Sequence, residues 1–580
     1  MNHGKERMPA QAVIEAFLAE GVEYVFGLVG SHVLAIYDAL AQAPTIRQIV
    51  AKHENNAAFM AEMYGRLTGR PGVVLVTAGP GALNSISAVA QAYQNSSPMV
   101  HISGTVATTS GVGEFHGTDR PDFLQKMFAE VTKWSVRVER PEETPAILAR
   151  AFHLATQGRP GPVHVEIPFD VLRSASAAMP LYARLSAAPT VVDAAGVHEL
   201  AQRLAQAKHP VLCVGPGVLI HRASDLLAAL AERLAAPVIV AGDALGALPE
   251  THPWFAGSMT AYQLAPWLEG QVRRADAFLV LGMREGSREV KALQAIAPPH
   301  ATWVRLYDAT TDRTGGASFS RPWLNALVQA LAGQPPREDH NLLETLAQRR
   351  SALRQRLDEV LQPHQASRPI HFGVAMQRLA RQLADEAIVV TGTGNHREWA
   401  RWCIPVRHPL SQVPAGMWGT MGSELPGAIA AKLAHPNRLV VAVTGDGSLL
   451  MGGSDVVTAV ETGANILVVV MNDARYGMIE EEQRKKFGRT IGTALQPVDF
   501  AAWAKSCGAA GYRVERPEDL DAVFEQAIAR TRQAPVLVDV VAGAEYPCLS
   551  ALEQVRAQPA GAASLGRRIT QWAGELIGQR

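Results

Sequence analysis

Cysteine is nearly absent. The 580 residues contain four, Cys213, Cys403, Cys507 and Cys548. They lie far apart, without the close spacing of a disulfide scaffold or a zinc site. They are expected to be reduced and mostly buried, as in a cytoplasmic protein. An excess of either charge is missing too: 54 Lys and Arg balance 54 Asp and Glu, a formal net charge of +0. With no basic excess, nucleic acid is not an expected partner. No run reaches the roughly 20 apolar residues of a membrane helix, so no membrane partner is expected. The opening "MNHGKERMPAQAVIEAFLAEG" lacks an apolar signal core and reads as an amphipathic helix, so export is not expected.

What is present is a chain with length for roughly three or four domains, 48% hydrophobic and 19% charged. Strand-like and helical stretches alternate in three segments. The expected fold class is α/β, with three doubly wound parallel-sheet domains spanning about 8–175, 191–335 and 365–548 and a helical tail over 549–580. The first segment offers "YVFGLVG", "RQIVAKHE", "GVVLVTAGPG", "PMVHISG" and "PVHVEIP" as strands. The second offers "PVLCVG", "PVIVAGD", "AFLVLG" and "TWVRLYD". The third offers "AIVVTGTG", "SQVPAG", "RLVVAVTG", "NILVVVMN" and "PVLVDVV". "FGLVGSH" and "VTGTGNH" open the first and third segments alike, a hint of duplication.

The stretch "VVAVTGDGSLLMGGSDVVTAVETGANILVVVMNDARYGM" carries the chemistry. It reads strand, turn, helix, strand, turn, which is a βαβ unit with parallel strands. Asp446 and Asp473 then share the carboxyl edge of the sheet, where ligands bind in open α/β folds. Two carboxylates side by side repel unless a cation lies between them. Their oxygens suit Mg²⁺, which commonly bridges carboxylates and substrate phosphates. Gly445, Gly447 and Ser448 allow backbone amides to approach a phosphate at a helix N-terminus.

"GDGS…ND" resembles the thiamine-diphosphate signature of acetolactate synthases, pyruvate oxidases and related 2-oxoacid decarboxylases. "VAKHENNAAFMAEMYGRLTGRPGVVLVTAGPGALNS", "MWGTMGSELPGAIAAKLAHPN" and "YGMIEEEQRKKFGR" resemble acetolactate synthase stretches most. The resemblance implies a pyrimidine-binding first domain, a central spacer and a diphosphate-binding third domain. It implies thiamine diphosphate and Mg²⁺ as cofactors, with Asp446, Asp473 and the backbone carbonyl of Arg475 around the metal. The second ligand is usually Asn; here it is Asp473. Glu54 matches the glutamate on the pyrimidine ring, Gly419 a backbone contact to the pyrimidine amino group, and Met421 the residue that bends the cofactor. Tyr476, Gly477 and Met478 complete the implied cofactor site. The resemblance also implies a homodimer or homotetramer with active sites at the dimer interface.

Three positions depart from the nearest relatives. His32 stands where catabolic acetolactate synthases carry Lys and benzaldehyde-lyase-like enzymes carry His. His116 stands where synthases carry Gln and simple decarboxylases carry His. Both imidazoles are candidate proton shuttles. Glu482 stands where biosynthetic synthases carry Trp. It shares a helix face with Ile479 and is expected to shape acceptor choice, whereas Glu481 and Lys485 read as a solvated pair. Some relatives hold FAD in the central domain. "VLCVGPGV" survives here, but "GMREGSREVK" departs from the usual pattern, which weighs against FAD without excluding it. Three functions stay open: a carboligase acting on a pyruvate-like 2-oxoacid, a decarboxylase or acyloin lyase releasing an aldehyde, and a cofactor-binding scaffold. Glu54, Met421 and Asp446 together argue against the last.

Overall fold

The computed structural model describes residues 6–110, 114–186, 192–259, 266–307 and 319–543. The expected tail over 549–580 and Cys548 lie outside them. The other three cysteines are free, and Cys213 and Cys403 are buried. Among the described residues no helix is long and apolar enough to cross a membrane.

All paired strands of the three sheets run parallel. The first sheet contains β1 (Tyr24–Gly27), β2 (Arg47–Val50), β3 (Gly72–Val76), β4 (Met99–Thr105), β5 (Trp134–Arg137) and β6 (Pro162–Pro168), in the order β2-β1-β3-β4-β6-β5. The third contains β12 (Ile388–Thr391), β13 (Gln412–Pro414), β14 (Val440–Gly445), β15 (Leu467–Asn472), β16 (Ala510–Val514) and β17 (Val536–Val541), in the order β13-β12-β14-β15-β17-β16. The two orders are the same pattern, as a duplicated unit would give.

These two sheets belong to one compact unit. Its core is shared: helix Glu54–Thr68 and helix Glu424–Ala434 bury Ala57, Ala58, Ala61 and Met63 with Leu425, Ala428 and Ala431 in one apolar cluster. The small side chains let the two helices approach closely. Asn56 reinforces the joint, its Nδ2 donating to Gly452 O at 3.2 Å.

The second unit, from Val192 to Pro363, carries the second sheet. Its strands are β7 (Pro210–Val214), β8 (Val238–Ala241), β9 (Phe255–Met259), β10 (Ala277–Met283) and β11 (Thr302–Tyr307), in the order β11-β10-β7-β8-β9. The glycines of "VLCVGPGV" serve packing here. A Cβ on Gly217 would lie 2.6 Å from the Cα of Gly282 in β10. Their presence is therefore explained without a nucleotide.

Candidate active site

The middle of the third sheet builds the site. β14 and β15 are almost wholly buried, as Val-rich strands covered on both faces are. Gly445 pairs in register with Met471, so both chains leave the sheet at the same edge. Asp446 follows β14 directly and Asp473 follows β15. The helix between them, Val456–Thr462, stops at Gly463 in the left-handed conformation.

Three helices start at this edge: Asn395–Cys403, Asp446–Gly452 and Gly477–Phe487. Their N-termini converge on a cavity open to solvent on one side. Free N–H groups and helix dipoles make such a place favourable for an anion. The cavity is lined by Thr393, Asn395, His396, Met421, the turn Gly445–Ser448, and Asp473 with Arg475–Ile479. The walls are crowded: a Cβ on Gly447 would lie 2.5 Å from the Tyr476 ring, and one on Gly477 would lie 2.9 Å from Asp473 Oδ2. Gly419 and Gly422 take φ of 72° and 84°, which shapes the turn that presents Met421.

The cavity is built for a polar ligand. Thr393 Oγ1, Asn395 Oδ1 and Asp446 Oδ2 are buried with no hydrogen-bond partner among the described residues. Such groups cost stability unless a ligand or water meets them. Asp446 is 4% exposed; its Oδ1 accepts from Gly447 N–H at 2.7 Å. Burial raises its pKa against the opposing backbone N–H groups of Gly447, Ala474 and Arg475. Asp473 is pushed up to about 7, first by burial and then by the charge of Asp446, with Arg475 opposing. A divalent cation between the two carboxylates would favour the charged form of both. Among the described residues no three His, Cys, Asp or Glu gather as a metal cage. A hard ion here would have to draw on backbone and ligand oxygens as well.

A second cluster lies in the first sheet's half. His32 sits on the turn Ser31–Val33 after β1, with Nδ1 3.3 Å from Thr77 Oγ1. His116 takes φ of 69° and stacks on it, ring centroids 5.3 Å apart. Burial and then His116 lower the pKa of His32. Phe115 stacks on His116 at 3.9 Å while remaining exposed. Nearby, Glu54 opens helix Glu54–Thr68 behind the N-cap His53, whose Nδ1 accepts from Asn55 N–H. Glu54 Oε2 accepts from Asn84 Nδ2 at 3.0 Å. A Cβ on Gly81, in the short helix Pro80–Asn84, would lie 2.7 Å from Thr77 Cγ2 and 3.5 Å from Glu54 Oε1, so Thr77 is what crowds that position.

The whole chain is similar to known proteins. It matches three family descriptions in the order of its sheets: "Thiamine pyrophosphate enzyme, N-terminal TPP binding domain" over 8–132, the "central domain" over 197–312, and the "C-terminal TPP binding domain" over 392–540. The acetolactate synthase large subunit of Haemophilus influenzae is 32% identical over 552 residues, covering 92% of this chain and 94% of that one. The chain belongs to the thiamine pyrophosphate enzyme family. Acetolactate synthase isozyme 1 large subunit of Escherichia coli is 30% identical, covering 93% and 95%. A probable acetolactate synthase large subunit of Methanocaldococcus jannaschii is 28% identical, covering 92% and 91%. This is therefore a thiamine-diphosphate-dependent enzyme, similar over nearly its whole length to acetolactate synthases.

In the single chain, Glu481 and Glu482 of helix Gly477–Phe487 face different ways. Glu482 does not line the cavity. It is exposed and pairs with Lys486 at 2.5 Å. Three residues carry it about 60° round the helix and about 4.5 Å along from Ile479, which does line the cavity. Glu481, expected in solvent, turns inward and accepts from Asn395 Nδ2 at 3.0 Å. The Ser448 hydroxyl faces away from the cavity: it donates to Glu424 Oε1 at 2.6 Å and accepts from Gly422 N–H at 2.8 Å. His396 and Glu424, both buried, were not anticipated. The likeness of "GNH" at 394–396 to "GSH" at 30–32 and the lone acid in "MGSELPG" were the only signals for them. Glu54 is absent from the lining of the Asp446 cavity in its own chain.

Proposed function

We propose that this enzyme decarboxylates a pyruvate-like 2-oxoacid and joins the remaining fragment to a second carbonyl compound, as an acetolactate synthase does. The observation that carries the reading is the cavity in which Asp446 and Asp473 meet three helix N-termini, in a chain that aligns with acetolactate synthases over nearly its whole length. That alignment favours joining over release of an aldehyde.

Thiamine diphosphate, when bound, supplies the carbanion and the electron sink for decarboxylation. Asp446, Asp473 and the Arg475 carbonyl would hold Mg²⁺. The open Asp446 Oδ2 fits that role. The amides of Gly477 and Met478 would receive the diphosphate between walls formed by Gly445, Gly447 and Tyr476, and Met421 and Gly419 would position the pyrimidine. Glu54 would hydrogen-bond the pyrimidine ring. His32 and His116 would hold and deliver protons at the substrate oxygen. The Thr77 contact fixes the ring of His32 for that task.

Because Glu54 is not in the cavity of its own chain, the two halves are proposed to meet between copies, in a homodimer or a tetramer of dimers. Met417, Trp418, Leu450 and Met451 leave an exposed apolar face beside the diphosphate half, and Val29 and Leu34 do so beside His32. Such faces commonly mark protein contacts. The central domain is read without FAD, since its glycines answer to packing; a purified protein without flavin absorbance would agree. Cytoplasmic location and a small-molecule 2-oxoacid substrate complete the reading.

Incubation with pyruvate, thiamine diphosphate and Mg²⁺ tests it. Acetolactate is the expected product. Acetaldehyde alone would contradict it.

A further inference from the structure

The second acidic position of the metal site comes with its own cation. Arg475 stands two residues after Asp473 and is one of the residues lining the cavity. Arg475 Nε donates to Asp473 Oδ2 at 3.0 Å and Arg475 Nη1 to Glu480 Oε1 at 3.1 Å. Both carboxylates are under 10% exposed at the side chain. Glu480 does not depend on Arg475, because Arg484 and Thr493 also donate to it. For Asp473 the guanidinium is the charged partner, with Nε 3.0 Å from Oδ2. The loop is pinned independently, by Tyr476 N–H to Thr493 O and Leu495 N–H to Ala474 O, both at 2.8 Å. The Arg475 side chain is therefore not needed to hold the backbone in place.

We propose that Arg475 is a positioning residue for cofactor binding: its guanidinium cancels the charge of Asp473, so that an incoming diphosphate meets the field of one carboxylate. A carboxylate ligates a metal through one oxygen while the other is held by a donor, and Asp473 offers that arrangement, with Oδ2 taken by Arg475. Without the guanidinium, two uncompensated carboxylates and a diphosphate would face one another across a single divalent cation. Repulsion of that kind in a buried site is large. An uncharged side chain at 473 would remove the need for Arg475. The inference rests on the proposed metal–diphosphate role of the cavity.

The test is a double-mutant cycle on thiamine diphosphate affinity, measured by isothermal titration at saturating Mg²⁺. Arg475→Met keeps the backbone carbonyl and the length of the stem. It is expected to weaken binding by about tenfold or more, a coupling usual for close charges. Asp473→Asn in the same chain should restore most of that loss, and Arg475→Lys should bind within about threefold of wild type. A merely structural role for Arg475, such as holding Glu480, would not be rescued by Asp473→Asn. Additive effects, or an unchanged affinity in Arg475→Met, would overturn the inference. Absence of Mg²⁺-dependent binding in the wild-type chain would overturn the cavity's proposed role, and this inference with it.

Discussion

The imidazoles of His32 and His116 stack with ring centroids 5.3 Å apart and planes 28° from parallel. Two cations at that separation repel, and burial already disfavours charge on His32. His32 should therefore titrate below its ordinary value of 6.5. Replacing His116 with Gln removes the neighbouring charge, so the His32 titration followed by NMR should move up. Turnover should fall by roughly a hundredfold if either ring delivers a proton. An unmoved titration would mean that the two rings do not interact.

Glu54→Gln should keep the fold and much of the cofactor affinity, because an amide can still accept from Asn84. It should abolish activation of the cofactor, since an amide cannot support the charged pyrimidine. Deuterium exchange at the thiazolium C2 measures this. The variant should exchange slower by about a hundredfold or more.

Glu482→Gln should leave kinetics with every substrate near wild type. The exposed pair with Lys486 is worth roughly 0.2–0.5 kcal/mol. Glu481→Gln should act instead on cofactor binding, through Asn395 at the cavity wall. A changed product ratio in Glu482→Gln alone would show that its exposed position in a single chain is not its working position.

The acid stability of the first sheet rests on two buried histidines. His101 in β4 and His164 in β6 pair in register and are fully buried. Ser85 meets His101 Nε2 at 2.7 Å, and Ser103 and Ser135 meet both nitrogens of His164 at 2.9 Å. Burial lowers His101 to about 3 and His164 well below its ordinary value. The folded state thus holds both neutral, while the unfolded chain takes up protons near pH 6.5. Below that pH the unfolded state binds more protons, so this contribution to stability falls by about 1.4 kcal/mol per pH unit for each ring. Asp473, raised to about 7, works in the opposite direction, so the comparison must be with a variant. The difference in Tm between wild type and His101→Gln should shrink as the pH falls from about 7 to about 5. A constant gap would contradict the assignment.

Much of the site was legible because its pieces are local. "VVAVTG" and "NILVVVMN" are apolar runs ended by Asp, and β14 and β15 lie in the middle of their sheet. The strands missed in the sequence, β5, β9 and β16, are all edge strands. Each is only partly buried, so none carries a continuous apolar run. The exchange of Glu481 and Glu482 was not legible either. The phase of that helix is set by where it begins, at Gly477, and one residue of phase turns a side chain by about 100°. The stacking of His32 on His116 and the inward turn of Ser448 toward Glu424 depend on segments distant in sequence. Periodicity carries no record of such pairings.

The role proposed for Asp446 and Asp473 is to bind thiamine diphosphate through a divalent cation. Isothermal titration of the wild-type protein with thiamine diphosphate, with Mg²⁺ and then with EDTA, tests it most directly, with Asp446→Ala alongside. Tight binding that requires Mg²⁺ and vanishes in the variant is the predicted result. Wild-type affinity that survives EDTA, or survives Asp446→Ala, would contradict it.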